Sequence, residues 1–313
     1  MDFPARGSAG LAYGRLPRTG VEARQTHHAM TSESPPPLIL NLAPTGMVPT
    51  RDRSAHVPLQ PDEIIRDVLA AADRGITIAH LHARDEQDRP THRKEIYARI
   101  IGGIRAQRPD LILCVSCSGR AQPDLESRAE VLTLAGDLQP DLASLTLSSL
   151  NFPRQASVNA PDVVQGLAQR MRDAGIRPEV EIFDLGMTHV LTWLQARGLV
   201  PAPCYVNLLV GNPASARADF PDIGALAARL PADAIWSLAG LGAAQLPVAA
   251  MAAAGAPGVR VGLEDNLWLD AARRHPARNL DLVERVHQLA ALLGRPIMTP
   301  AQLREKLGLR RWG

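Results

Sequence analysis

The stretch Ile76-Thr77-Ile78-Ala79-His80-Leu81-His82-Ala83-Arg84-Asp85 is a short apolar run whose far end carries two histidines. In a strand, residues two apart point to the same face, so Ile78, His80 and His82 share one side while Ala79 and Leu81 take the other. Two imidazoles can then reach one metal ion from a single rigid element. A His-x-His also arises by chance in a chain with nine histidines. Its weight here comes from position: it closes an apolar strand and stands directly before Arg84-Asp85, where a functional loop would begin.

Working outward from that strand, the same unit recurs. A short apolar run is followed by a loop marked by Gly or Pro, and then by a stretch of helical period. The runs are Leu38–Ala43, Thr77–His82, Leu111–Ser116, Leu142–Thr146, Glu179–Phe183, Tyr205–Val210, Ala234–Ala239 and Val259–Glu264. Between and after them lie helical stretches at Pro61–Arg74, Arg93–Gln107, Pro161–Ala174, Met187–Ala196, Phe220–Arg229, Pro247–Ala254, Leu280–Leu293 and Pro300–Leu307. Alternation of this kind predicts a (β/α)₈ TIM barrel over residues 38–313. A doubly wound open sheet competes, but it calls for a Gly-x-Gly-x-x-Gly turn after the first strand, and Pro44-Thr45-Gly46 is not one. Residues 1–37 show no apolar signal core and no periodicity, and end in Pro35-Pro36-Pro37. They read as a disordered N-terminal extension, with Met30 the better start.

With 313 residues and a net charge of +2, the chain can bury a large core and carries no basic run interleaved with aromatics. That argues against a nucleic-acid partner. Cys114, Cys117 and Cys204 are too few and odd in number for a disulfide framework, which fits a reduced, cytoplasmic setting. Ala234–Val259 lacks any charge, yet it is built from Ala and Gly and broken by Pro247 and Pro257. It predicts a strand, a loop and a close-packed helix, and no membrane span.

In a barrel, inward residues alternate along each strand and the site lies at the carboxyl ends. On that rule Glu179, Glu181 and Phe183 share a face, as do Arg260, Gly262 and Glu264. Each charge taken alone fits a buried ion pair, for instance Glu181 with Arg260. Taken together, His80, His82 and Glu264 make the two-nitrogen, one-oxygen set of a catalytic zinc with an open position, because strands two and eight both flank strand one. The same donors would accept cobalt, manganese or iron. Ser116-Cys117-Ser118-Gly119-Arg120 offers hydroxyls and backbone N–H groups to an oxyanion, or forms an ordinary turn. Cys117 is a poor candidate nucleophile, having no histidine beside it in sequence. His189, His275 and His287 lie in helical contexts as surface or packing residues, and His27 and His28 fall in the leader.

Several segments occur here in a known order: Ala43-Pro44-Thr45-Gly46, Val57-Pro58-Leu59, Pro61-Asp62-Glu63-Ile64, His80-Leu81-His82-Ala83-Arg84-Asp85 and Ser149-Leu150-Asn151-Phe152. Pro178-Glu179-Val180-Glu181, Arg260-Val261-Gly262-Leu263-Glu264-Asp265-Asn266 and the tail from Gly294-Arg295-Pro296 to Thr299-Pro300 complete the series. From about Leu38 onward the chain resembles the β-keto acid cleavage enzymes, whose founding activity is 3-keto-5-aminohexanoate cleavage. The resemblance implies a zinc-dependent barrel, a homotetramer, that converts a β-keto acid and acetyl-CoA to acetoacetate and a new acyl-CoA. It implies Zn2+ on His80, His82 and Glu264, and Asp265 as the base oriented by Arg260. It also implies Glu181 in the active-site network, with Ser116, Gly119 and Ser144 at the substrate.

Two departures bear on the substrate. Where members acting on the amino acid carry a Glu two residues after the first-strand Gly, this chain has Gly46-Met47-Val48. Val48 cannot neutralise a desolvated ammonium, which would cost on the order of several kcal/mol to leave unpaired. The expected substrate is therefore a β-keto acid with a neutral or apolar side chain. Cys117-Ser118 also stands where Thr-Gly is common. Two other functions compete: a CoA-independent metal-dependent lyase or hydrolase of β-keto acids, and a non-catalytic metal-binding barrel. The second is disfavoured by Arg260, Asp265 and Glu181, because a structural zinc is normally closed by a fourth protein ligand.

Overall fold

All four residues of the first strand, β1 (Ile39–Leu42), are buried, as a strand covered on both faces requires. The same holds for β2 (Ile78–Leu81), β3 (Ile112–Val115), β4 (Leu142–Thr146) and β8 (Gly258–Val261). With β5 (Arg177–Ile182), β6 (Tyr205–Val210) and β7 (Ile235–Gly240) they pair in chain order, all parallel, and β8 closes on β1. This computed structural model, which describes residues 35–311, is thus a (β/α)₈ barrel. The readings of residues 1–34, including His27, His28 and Met30, lie outside the described residues. As expected, β1 is flanked by β8, with Asn41 opposite Arg260, and by β2, with Asn41 opposite Ile78.

The helices follow local sequence chemistry. In α1 (Pro61–Arg74), Pro61 opens the first turn and the Glu63 carboxylate accepts from the Leu59 and Gln60 N–H groups, each at 3.0 Å. Gly75, at φ +90°, ends the helix in the left-handed region. Ile64, Val68 and Ala71 recur at helical spacing and bury against the barrel. The remaining helices are α2 (Lys94–Arg105), α3 (Leu125–Ala129), α4 (Pro161–Ala174), α5 (Leu185–Gln195), α6 (Phe220–Ala227), α7 (Gln245–Gly255), α8 (Asn279–Leu292) and α9 (Pro300–Leu307). The connection from β3 to β4, where the sequence offers no long helical stretch, holds the short α3 and two 3₁₀ turns. None of the helices among the described residues is long and apolar enough to cross a membrane.

Strand alternation sorts the core into two regions. Outward residues such as Leu40, Leu81, Leu113, Val180 and Val259 pack against the helices. Inward, the amino end of the barrel is filled by Ile39, Ile78, Ile112, Leu142 and Tyr205, closed from below by Met298 and by Leu303 and Leu307 of α9. Above that floor the interior turns polar, with Asn41, His80, Glu179, Asn207 and Ser237 all at most 1% exposed.

One element differs from its sequence reading in a way that matters. The eighth strand stops at Val261, not at Glu264. Gly262 sits at φ +152°, and a Cβ there would lie 2.0 Å from the Ala43 carbonyl oxygen. Only glycine lets β8 close so tightly on β1. The Ala43 N–H donates to the Val261 carbonyl and its own carbonyl accepts from the Glu264 N–H at 3.2 Å. The turn also lets Glu264 and Asp265, which a continuing strand would send to opposite faces, point into the same site. Replacing Gly262 with alanine is expected to lower stability by about 2 kcal/mol or more, read as a fall in Tm, and to weaken divalent-metal binding as Glu264 shifts.

Candidate active site

Buried side chains at the carboxyl ends of β2, β5 and β8 are brought together as their inward alternation requires. The His80 and His82 Nε2 atoms lie 3.3 Å apart. Glu264 Oε2 is 3.2 Å from His82 Nε2 and 3.9 Å from His80 Nε2. Ligands about 2.0–2.2 Å from a tetrahedral zinc stand roughly 3.3 Å from one another, so the three donors match such a site. Glu264 Oε2 is also buried and takes no hydrogen bond, which is costly unless a cation fills the gap. Burial, against the pull of Glu264, pushes His82 down to about 4, leaving a neutral ring with a free lone pair.

His80 is oriented from below. Its Nδ1 meets the Glu179 carboxylate in a short contact, and Glu179 also accepts from Asn41 Nδ2 at 2.8 Å and from the Cys114 thiol at 3.1 Å. Burial opposes the charge on Glu179, but His80 and Arg260 hold it down at about 2. For His80, burial works against the charged ring and Glu179 outweighs it. A carboxylate on Nδ1 fixes the ring so that Nε2 faces the cluster.

Above the histidines, Arg260 is 1% exposed and bonds three carboxylates. Its Nε donates to Asp265 at 3.1 Å, Nη2 to Glu264 at 2.8 Å and to Asp265 at 3.3 Å, and Nη1 reaches Glu181 at 3.5 Å. Glu181 takes a second bond from Thr146 Oγ1 at 2.6 Å. Burial raises Asp265 to about 6, opposed by Arg260 and helped by Glu264. All four charged groups line a cavity of about 590 Å³.

The sequence model of the β-keto acid cleavage enzyme family matches residues 37–309. The chain belongs to the β-keto acid cleavage enzyme family. It is 35% identical over 276 residues to the 3-oxoadipate:acetyl-CoA acetyltransferase of Cupriavidus necator, covering 87% of this chain and 95% of that protein. It is 33% identical to the 3-keto-5-aminohexanoate cleavage enzyme of Fusobacterium nucleatum, covering 88% of this chain and 98% of that one. Among solved structures, ObcA in ternary complex with a C4-CoA adduct and oxalate superposes with a TM-score of 0.73 at 23% identity, over 82% of this chain and 68% of that chain. That last likeness concerns the fold.

In this member of the β-keto acid cleavage family, Ser116 and Val48 line the cavity, and Val48 is 40% exposed. Ser144 and Gly119 lie outside the lining. The Ser144 hydroxyl accepts from the Cys117 N–H at 3.0 Å. At Gly119 a Cβ would fall 2.3 Å from the Val158 carbonyl and 2.7 Å from Arg128 Nη1, so the residue is glycine because the loop packs tightly there. Arg128 pins that loop through the Cys117 carbonyl at 2.7 Å. Burial pushes the Cys117 thiol up to about 12, which leaves it inert at neutral pH. His275 and His287 engage Asp270 and the Gly75 carbonyl, each at 3.0 Å, away from the cavity.

Sequence reasoning named Glu179 only as an inward carboxylate and gave it no role. It marked Arg84 only as the start of a loop; its guanidinium bonds the Gly46 and Pro49 carbonyls at 2.7 and 3.0 Å and so holds the loop carrying Met47 and Val48. A charged residue on the inward face of an apolar strand was the available signal for Glu179. Replacing Glu179 with glutamine is expected to weaken zinc binding about 10- to 100-fold, measured by competition with a chromophoric chelator. Unchanged affinity would remove Glu179 from the site's support.

Proposed function

We propose that this chain catalyses the acetyl-CoA-dependent cleavage of a β-keto acid, giving acetoacetate and a new acyl-CoA. The observation that carries the reading is the Asp265 carboxylate, gripped by Arg260 and set beside the His80, His82 and Glu264 donors at the base of an open cavity. Membership of the family supports it, as do the acetyl-CoA-dependent reactions named for several relatives. A divalent metal, zinc by the match of donor type and spacing, would be held by His80, His82 and Glu264, and when bound it supplies Lewis acidity that stabilises negative charge on substrate oxygens.

The chain's own residues account for the proton and for orientation. Asp265 is raised toward neutrality by burial while Arg260 keeps one geometry on its carboxylate. It removes the proton from the carbon between carboxylate and ketone. The enolate carbon then bonds to the acetyl carbonyl and the thiolate of CoA leaves. That thiolate adds to the substrate's ketone, the bond between the ketone carbon and the former enolate carbon breaks, and Asp265 returns its proton to acetoacetate. Glu181, fixed by Thr146 and Arg260, completes the charged wall beside Asp265. Ser116 lines the cavity, so its hydroxyl can meet a substrate oxygen; Gly119 lies outside the lining and serves the packing of that loop.

Val48 disfavours a substrate with an ammonium on its acyl chain, because the cavity wall it forms offers no countercharge. Met47, Val48, Leu209 and Phe183 support a neutral or apolar chain along that wall. The family resemblance implies a homotetramer, and the few, odd-numbered cysteines fit a reduced, cytoplasmic setting.

Acetoacetate formation should require acetyl-CoA, cease after chelation and return on adding zinc. Asp265→Asn should lower kcat about 10²- to 10⁴-fold while retaining the metal, measured by coupled assay and metal analysis. Cleavage that proceeds without acetyl-CoA would instead make the protein a lyase.

A further inference from the structure

The half-buried cation Arg120 stands in the cavity wall with its donors unspent. The buried arginines around the site are committed: Arg260 to three carboxylates, Arg84 to backbone carbonyls, Arg128 to the Cys117 carbonyl and to Asn159 Oδ1 at 2.8 Å. Among the described residues no carboxylate or carbonyl accepts a hydrogen bond from the Arg120 side chain. What holds it is the Phe152 ring, 3.6 Å from the guanidinium carbon. Phe152 is itself braced edge-on by Phe183 at 5.7 Å. The stacked guanidinium is therefore a flat fork fixed in one plane, the arrangement that suits bidentate binding of a carboxylate.

Its surroundings favour an anion from the substrate. Glu264, Glu181 and Asp265 act on Arg120 through space without reaching hydrogen-bond distance, so it shares their cavity. Arg53, Arg154 and Arg273 also line the cavity but are exposed, so water satisfies them. They suit the phosphates of CoA at the mouth, whereas a half-buried guanidinium loses water and needs a partner.

We propose that Arg120 is a specificity residue that receives a second carboxylate at the far end of the β-keto acid, making the substrate a 3-oxo dicarboxylic acid. The inference rests on the β-keto acid reading of the same site. The expectation of a neutral or apolar chain followed from Val48 and the apolar residues that line the cavity with it, without regard to Arg120. An apolar stretch that ends in a carboxylate satisfies both Val48 and Arg120.

The test compares 3-oxoadipate with 3-oxohexanoate, which has the same chain length and a methyl end, on zinc-loaded wild type, Arg120→Gln and Arg120→Lys. It reads kcat/KM for each acid, KM for acetyl-CoA, and calorimetric binding of 3-oxoadipate without acetyl-CoA. Wild type should prefer the diacid, and Arg120→Gln should cut the diacid-to-monoacid ratio by at least about tenfold, chiefly through KM. Arg120→Lys should keep part of the preference. Equal losses on both acids would overturn the proposal, as would a raised KM for acetyl-CoA with the ratio unchanged, which would assign the anion to CoA phosphate. If wild type turns over no β-keto acid, the function reading fails, and calorimetry still decides this one: binding lost in Arg120→Gln supports it and equal binding refutes it. Should Arg120→Gln fail to fold, Phe152→Leu, which removes the platform, must lower the same ratio.

Discussion

A single buried guanidinium, that of Arg260, holds the mouth of this barrel in one arrangement. A cation taken out of water is costly unless its donors are met, and Arg260 meets Glu181, Glu264 and Asp265 at once. Those carboxylates raise it well above its ordinary range, against the opposing effect of burial. The balance is nevertheless uneven. With Glu179 beneath, four buried or nearly buried carboxylates face one arginine and two imidazoles, so the cluster retains a net attraction for positive charge. The orphaned Glu264 Oε2 lies where that attraction is unanswered by protein. The ion-pair network and the donor set that a cation would complete are thus one structure here.

Period-two alternation was enough to turn His80 and His82, and Glu179 and Glu181, toward the axis, because a strand has only two faces. It also set the choice for Glu181 and Arg260 as either an ion pair or a reactive pair. The structure makes the ion pair at 3.5 Å and puts both residues on the cavity wall, so the alternatives were never exclusive. The end of β8 was not legible. Whether the chain continues as strand past Val261 depends on the contact of Gly262 with the Ala43 carbonyl, more than 200 residues away in sequence, and no local propensity reports it. The role of Glu179 was hidden for the same reason, since its partners Asn41, His80 and Cys114 all come from other strands.

Below the reactive layer the barrel carries a polar storey that a purely apolar core would not need. Asn41 donates to Glu179 and to the Tyr205 hydroxyl, which meets Ser237 Oγ at 2.7 Å. Asn41 Oδ1 and Asn207 Nδ2 take no hydrogen bond among the described residues, while most of these buried polar groups are bonded. Their effect is to hold Glu179, and through it the His80 ring, with little freedom. Stability comes instead from the apolar shell outside the strands and from the α9 plug beneath. The polar storey is therefore explained by the site it supports, not by the fold.

Val48 and Arg120 sit on loops of the cavity wall, whereas His80, His82, Glu264 and Asp265 sit on or directly after strands. Strands joined edge to edge cannot shift one side chain without moving a neighbour, so a donor set and a carboxylate placed there stay constant. Loops pinned by a few hydrogen bonds can exchange residues at lower cost. Arg84 holds the loop bearing Val48, and Arg128 holds the loop bearing Arg120. Each clamp grips backbone carbonyls, so the side chains facing the cavity can change without disturbing it. On the proposed reading, an apolar residue on one clamped loop and an unpaired guanidinium on the other would select a substrate by charge, while the donors and the base stay with the barrel beneath them.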